Sequence, residues 1–364
     1  KMLLSISSLD ENLIKIRCYI HVLIKNINVS DVLQHSFQFP MFYIKAQEVE
    51  EKIQLTFEDT VQYTQLQALP PMSLQQYVSK FKPMSLSHII QSGSNVFVSV
   101  SHAISDGNVF RNFINSLGTP DVLLILNIQI SSPPIVFEKE LSKLQFVQPT
   151  ENRLRILNSE KSQIISTPFS VDLTKCQKCK NLFLNEKMNL FASLIIQKLN
   201  KQTENLIGVG NMVDLRQFSN SPGMHLNFVS GYNLAVQVED SQLVSNCLEL
   251  LRNQFQSFKL QNHLMYWKAI QQQEWGYFAT QKARVELSNA GRLHRDVELQ
   301  LSADEAFSTL SVMFYVVGEE LRGVVQCGCS FGEIGEEVAE DFKKLFLGCK
   351  LEMGIGELRG LIAE

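Results

Sequence analysis

The order of apolar and polar positions divides the chain into alternating strand-like and helix-like stretches. NLIKIRCYIHVLI, residues 13–25, is rich in β-branched and aromatic residues and predicts a strand. Residues 28–37 follow as a short helix, with Ser30 and Asp31 as candidate caps. MFYIKAQEVEEKIQLTF, residues 41–57, alternates and predicts one or two strands, whereas residues 70–94 carry prolines and serines and read as irregular. In NVFVSVS, Val96, Val98 and Val100 recur at period two, which predicts a strand. After SHAISDG, the positions Val109, Phe110, Phe113, Ile114 and Leu117 recur at helical spacing, and Gly118 supplies a stop.

A proline-containing stretch of mixed character follows and reads as a crossover. It places a domain boundary near residue 150, giving domains 1–150 and 151–364. Beyond it RLRIL and SQIIS are strand-like. NEKMNLFASLIIQKLNK predicts a helix with Met188, Phe191, Leu194, Ile195, Ile196 and Leu199 on its buried face. Residues 206–215 and 232–238 predict strands, residues 241–260 an amphipathic helix that could run on towards Gln273, and residues 309–317 and 321–330 two more strands. The chain closes on a helix over 334–347, with Glu336 and Glu337 early and Lys343 and Lys344 late, as the helix dipole favours. The same strand–helix order in each half predicts two α+β halves around separate sheets, with a seam where ligands commonly bind.

Composition narrows the function classes. The chain has 364 residues, of which 45% are hydrophobic and 19% charged, so it can bury a core and does not resemble a disordered segment. Its 33 basic and 37 acidic residues give a net charge of −4, which argues against a nucleic-acid partner. The longest apolar run, residues 122–137, is broken by Asn127, Gln129, serines and prolines, so no membrane span is expected. The apolar run near the N-terminus is too short for a secretory signal, and a cytoplasmic location is expected. Seven cysteines do not suggest a disulfide framework. Cys176 and Cys179 form CQKC, but Cys327 and Cys329 form CGC, which lacks zinc-ligand spacing, so no metal is expected. No Gly-rich loop ends in Lys-Ser or Lys-Thr, which disfavours nucleotide hydrolysis.

The chemistry concentrates in VSVSHAISDGNVF. A strand ends, His102 stands in the connection, Asp106 and Gly107 follow, and a helix begins. An imidazole at the mouth of a rigid strand suits proton abstraction near neutral pH. Asp106 could orient the turn or pair with a cation, and Gly107 could serve where a Cβ would block a close approach. A cysteine nucleophile with His102 as its base remains an alternative on residue types alone.

The string HAISDG resembles the His-x-x-x-Asp-Gly motif of CoA-dependent acyltransferases of the chloramphenicol acetyltransferase fold. These include alcohol acetyltransferases, plant BAHD acyltransferases and non-ribosomal peptide condensation domains. NMVDLRQFSNSPGMHLNFVSGY is similar to the Val-Asp-x-Arg and Gly-Asn-Phe segment of BAHD and alcohol acetyltransferases. Val213, Asp214, Arg216, Asn227 and Phe228 match it, and Leu226 stands where the family often has glycine. ELSNAGRL resembles the Ser-Asn-x-Gly turn of alcohol acetyltransferases. Two features depart from the relatives: Ser101 replaces the first histidine of the condensation-domain pair, and the Asp-Phe-Gly-Trp-Gly motif of BAHD enzymes is absent.

The resemblance implies an α+β fold of two chloramphenicol-acetyltransferase-like subdomains, each a mixed sheet with helices, and an active site in a tunnel between them. It implies transfer of an acyl group from a CoA or carrier-protein thioester to an alcohol or amine, without an acyl-enzyme. Acyl-CoA would be a co-substrate, with no permanently bound cofactor. His102 would be the general base, with Asp106 and Gly107 completing the motif. Asp106 would pair with Arg216 to pin the loop, and Ser288 or Asn289 would donate to the oxyanion. The alternative is an inactive protein of this fold that serves as an interaction subunit in a complex.

Overall fold

A computed structural model describes residues 2–4, 7–50, 52–62, 64–65, 68–118, 132–146, 161–176, 183–219, 227–272, 285–304, 310–329 and 334–363. They form two compact units. The first comprises Lys1–Ser142, Asp214–Val229 and Ala290–Asp304, and the second Lys143–Val213, Ser230–Asn289 and Glu305–Glu364. Each holds a sheet and helices, so the protein is of the mixed α+β class.

The first unit is built on a sheet in the order Val297–Ser302, Tyr19–Ile24, Asn95–Ser101, Ser87–Ser92, Thr64–Gln65. Neighbours are antiparallel except the last pair, which is parallel. Every residue of Tyr19–Ile24 is buried, so both faces of this strand are covered and a continuous apolar run marks it. On one face the helix Leu74–Lys80 lays Leu74 and Tyr77 against Leu23, Ile90 and Phe97. Tyr77 stacks on Phe97 with ring centroids 4.2 Å apart. Phe113 of the helix Gly107–Ser116 meets Phe39 and Phe42 at 5.1 and 5.4 Å.

The second unit carries Lys161–Asp172, Leu310–Val317 and Glu320–Cys329 as an antiparallel set. Gly210 and Asn211 pair in parallel with Glu286 and Leu287. The helix Leu184–Leu199 is buried from Lys187 to Gln197, wider than the expected stripe. Its buried Asn189, Ser193 and Gln197 are bonded to the chain around them. Asn189 and Asn211 exchange side-chain hydrogen bonds at 2.8 Å, Gly208 N–H donates to Ser193 Oγ at 2.8 Å, and Gln197 Nε2 donates to the Leu206 carbonyl at 2.9 Å. Such pairing offsets the cost of burying amides and hydroxyls. Phe342 and Phe346 of the helix Ile334–Gly348 close the core against Phe169 and Phe191.

Several expectations need correction. Residues 13–15 finish a helix, Ser8–Lys15, and the strand starts only at Tyr19. A reciprocal Ser7–Asp10 capping box starts that helix, and Arg17 takes a left-handed φ of 50° just beyond it. Asn28, rather than Ser30 or Asp31, caps Val29–Ser36 by accepting from Ser30 N–H. Residues 70–94 contain the helix Leu74–Lys80, capped by Ser73 with Gln76, and the strand Ser87–Ser92. Residues 241–260 form the helix Val244–Ser257, which stops where Phe258 turns extended, and a second helix, Leu260–Gln271, begins there. SQIIS lies in Lys161–Asp172, whereas RLRIL falls outside the described residues. Among the described residues no helix is long and apolar enough to cross a membrane.

The first unit also holds a pH-sensitive polar core. His21 is fully buried, with Nδ1 2.8 Å from Ser99 Oγ and Nε2 2.7 Å from Ser302 Oγ. His88 Nε2 lies 2.9 Å from the Ser85 carbonyl. Burial, then the neighbouring His88, pushes His21 down to about 3, and burial pushes His88 down to about 4. Both are therefore neutral in the folded protein at pH values where the unfolded chain already binds protons, below about 6.5. Stability should fall as pH drops from there towards about 4, by up to about 1.4 kcal/mol per pH unit for each histidine. Asp10 acts oppositely, because burial raises its carboxyl to about 6. Urea unfolding from pH 7 to 4.5 should show a falling midpoint, and Asp10→Asn should steepen it. A flat profile in the wild type would contradict the neutral-histidine core.

Candidate active site

The strand Asn95–Ser101 is buried from Val96 to Ser101 and delivers His102 at a fixed point. His102 N–H donates to the Cys18 carbonyl at 2.8 Å, which ties the turn to the chain entering Tyr19–Ile24. The His102 side chain is half-buried, whereas Ala103 to Asp106 are all buried. Ser101, where condensation domains carry a second histidine, is fully buried, and its Oγ faces Ala103 N–H at 3.4 Å.

Asp106 is the N-cap of the helix Gly107–Ser116. Its Oδ1 accepts from Asn108 N–H at 3.1 Å and Val109 N–H at 3.0 Å. Its Oδ2 accepts from Arg216 Nη1 at 2.7 Å and from Phe228 N–H at 2.9 Å. The carboxylate is 0% exposed, and four donors fill its lone pairs. Burial alone would raise its pKa. The Arg216 charge and the N–H groups of Phe228 and Val109 outweigh burial and hold it below the usual carboxylate range.

Arg216 is held twice, since Nη1 also donates to Asp214 Oδ1 at 2.9 Å, and its guanidinium carbon lies 5.6 Å from the Phe228 ring centre. Asp214 shares this cation yet is pushed up, by its own burial and by the charge of Asp106. Asp214 Oδ2 accepts from Asn108 Nδ2 at 2.6 Å, and Asn108 Oδ1 accepts from Arg111. Asn108 and Arg111 are not among the expected site residues. Their spacing of three on one helix is the only hint visible in the sequence. Asn227 is buried and favours the charged form of Asp10, against the larger effect of burial on that carboxyl.

Three expected features sit differently. Gly107 does not take a left-handed φ, and a Cβ there would come no nearer than 4.0 Å to Ala290, an ordinary contact. Steric need therefore does not explain that glycine. The Ser-Asn-x-Gly segment is not a turn but lies in the strand Val285–Leu293. On that strand Ser288 is half-buried, and Asn289 is exposed with its Nδ2 donating to Asn185 Oδ1 at 2.7 Å. Cys18 is the cysteine whose main chain meets His102, and burial pushes its thiol up to about 12, so it is not a thiolate at neutral pH. Among the described residues no cluster of metal-ligating side chains gathers, and Cys179 lies outside them.

No protein-family model matches the chain, and no curated protein matches it. Solved structures do. A variant of the starter condensation domain of rhizomide synthetase RzmA, in complex with C8-CoA, superposes at a TM-score of 0.68 with 9% identity, over 98% of this chain and 97% of that one. The chain has the condensation-domain fold. The epimerization domain from the third module of tyrocidine synthetase B matches it at 0.62, with 11% identity over 100% of this chain and 98% of that one. Polyketide synthase associated protein 5 from Mycobacterium tuberculosis also matches at 0.62, again with 11% identity and coverage of 100% and 98%. The condensation-domain fold is of the chloramphenicol acetyltransferase type expected from His102, Asp106 and Gly107, and the fold is what these proteins share at such low identity.

Proposed function

We propose that the protein transfers an acyl group from a CoA or carrier-protein thioester to an alcohol or amine, with His102 as general base. The observation that carries this reading is the saturation of Asp106. All four of its acceptor positions are taken by Arg216, Phe228, Asn108 and Val109, so the carboxylate stabilises the turn rather than orienting the imidazole. With its oxygens committed to those four donors, Asp106 does not serve as the carboxylate of a nucleophile–histidine–carboxylate triad. The protonated state of the Cys18 thiol speaks against an acyl-cysteine there. A structural neighbour in complex with C8-CoA supports a thioester donor.

In the proposed step the imidazole accepts the proton of the acceptor O–H or N–H as that atom bonds to the thioester carbonyl carbon. A tetrahedral oxyanion forms and collapses, the C–S bond breaks, and the proton passes to the leaving thiolate, giving free thiol. A hydrogen bond to the oxyanion is assigned to Ser288 or Asn289. Asn289 already commits its amide to Asn185, so Ser288→Ala is the more informative substitution. The division at residue 150 is retained as a proposal for how the two acyltransferase subdomains are encoded.

The test is a screen of acyl-CoA donors against alcohols and amines, with free thiol release and acylated product measured together. Acceptor-dependent thiol release supports the reading. Thioester binding without product across the panel would shift the function to the inactive, interacting member of the fold.

A further inference from the structure

The hydrogen bonds around Asp106 do not end at Arg216. Asn108 Nδ2 donates to Asp214 Oδ2 at 2.6 Å while its Oδ1 accepts from Arg111 Nη2. Only one orientation of the Asn108 amide satisfies a carboxylate on one side and a guanidinium on the other. Arg111 is itself confined. Gly291 has a left-handed φ of +80°, and a Cβ there would stand 2.8 Å from Arg111 Nη1 and 3.0 Å from its Cδ. Three stretches far apart in sequence, at 106–111, 214–228 and 290–291, are thus joined by one chain of contacts. It runs from Gly291 through Arg111, Asn108, Asp214, Arg216 and Asp106 to Phe228.

We propose that Asn108 and Arg111 are positioning residues for His102, forming with Asp214 a second clamp that fixes the Arg216 guanidinium against Asp106. The inference rests on the acyl-transfer reading for its catalytic consequence, and on geometry alone for the clamp. The bonds from Arg216 to Asp106 and to Asp214 leave from the same nitrogen, Nη1. The direction of that nitrogen towards Asp106 therefore depends on where the Asp214 carboxylate sits. Asn108 holds Asp214 from its other oxygen, and Arg111 holds Asn108 in turn. The direction of the two carboxyl shifts agrees: Asp106 stays firmly ionised while Asp214, squeezed between burial and Asp106, depends on its donors. A merely solvated asparagine at the second position of a helix would touch neither a carboxylate from residue 214 nor Arg111.

The experiment is a charge-exchange series in the full chain. Asn108→Ala should lower kcat roughly tenfold, and Asn108→Asp, which sets two carboxylates face to face, on the order of a hundredfold. KM for the thioester should stay within about threefold of wild type in both, because donor contacts are not touched. The double variant N108D/D214N exchanges donor and acceptor across the same hydrogen bond, keeps the acceptor for Arg216 and gives Arg111 a full carboxylate. It should recover most of kcat. Hydrogen–deuterium exchange over residues 102–118 should rise in the N108D protein and return towards wild type in the double variant. Loss of kcat without rescue, or rescue of exchange without rescue of kcat, would overturn the positioning role. A wild type that turns over no thioester would remove the acyl-transfer reading instead. The clamp would then be judged by exchange alone, and unchanged exchange in N108D would overturn it.

Discussion

Asp106→Ala should lower the melting temperature by on the order of 10 °C and abolish activity through the loss of a fixed loop. The substitution takes from Arg216, whose side chain is 17% exposed, its buried carboxylate and leaves it Asp214, which is less buried, and it strands the N–H groups of Asn108, Val109 and Phe228. Breaking a buried pair by removing one partner costs about 3–5 kcal/mol, and in a unit of this size each kcal/mol shifts the midpoint by about 2–4 °C. Asp106→Asn is the sharper control. Whichever way its amide turns, an NH2 group meets either the helix N–H donors or the Arg216 and Phe228 donors, so it should recover little. The pH dependence has a definite sign. The Asp106 carboxyl is held below its unfolded value, so its contribution is complete above about pH 4 and disappears only in stronger acid, as the folded group protonates. Thermal scans of wild type, D106A and D106N at pH 7 and pH 3 check this. A D106A protein within about 3 °C of wild type, roughly one kcal/mol by the same conversion, would mean that Arg216 and the freed N–H groups find water instead.

The contrast between what the sequence reveals and what it hides follows the range of the interactions. The strand Asn95–Ser101, the turn and the helix Gly107–Ser116 are legible because period two gives way to period 3.6 at His102, within a single window. The segment Val285–Leu293 is misread because Ser-Asn-x-Gly looks like turn chemistry. In the folded chain its Gly291 takes a left-handed φ of +80° inside a strand, beside Arg111. The helix Ser8–Lys15 is lost in an apolar run that continues into Tyr19–Ile24, with only the Ser7–Asp10 capping box to mark its start. Arg216 is reachable only through family resemblance, since its partner lies 110 positions away. Asn108 has no such guide. An asparagine near a helix start is common, and the carboxylate it serves is 106 positions distant. The fold is thus readable where contacts are local, and the site where a motif exists, but the clamp that joins them depends on tertiary pairing.

His102→Ala should remove acyl transfer while leaving thioester binding close to wild type. A base acts on the acceptor proton in the transition state, so its loss appears in kcat and not in donor affinity. A positioned general base is typically worth about 10²–10⁴ in rate, and a loss in that range is expected. The substitution should cost less stability than Asp106→Ala. Alanine retains the His102 N–H donating to the Cys18 carbonyl at 2.8 Å, and the bonds to Asp106 are untouched. His102→Ala and Asp106→Ala therefore separate chemistry from architecture: the first loses turnover with the Asp106 network intact, the second loses both. His102→Gln, whose amide cannot take up the acceptor proton, should be as slow as His102→Ala. Donor binding by calorimetry, thermal scans and turnover rates on the same three proteins make the measurement. Full turnover in His102→Ala would eliminate His102 as the base and leave the Asp106 network as the support of a loop whose chemistry lies in another side chain.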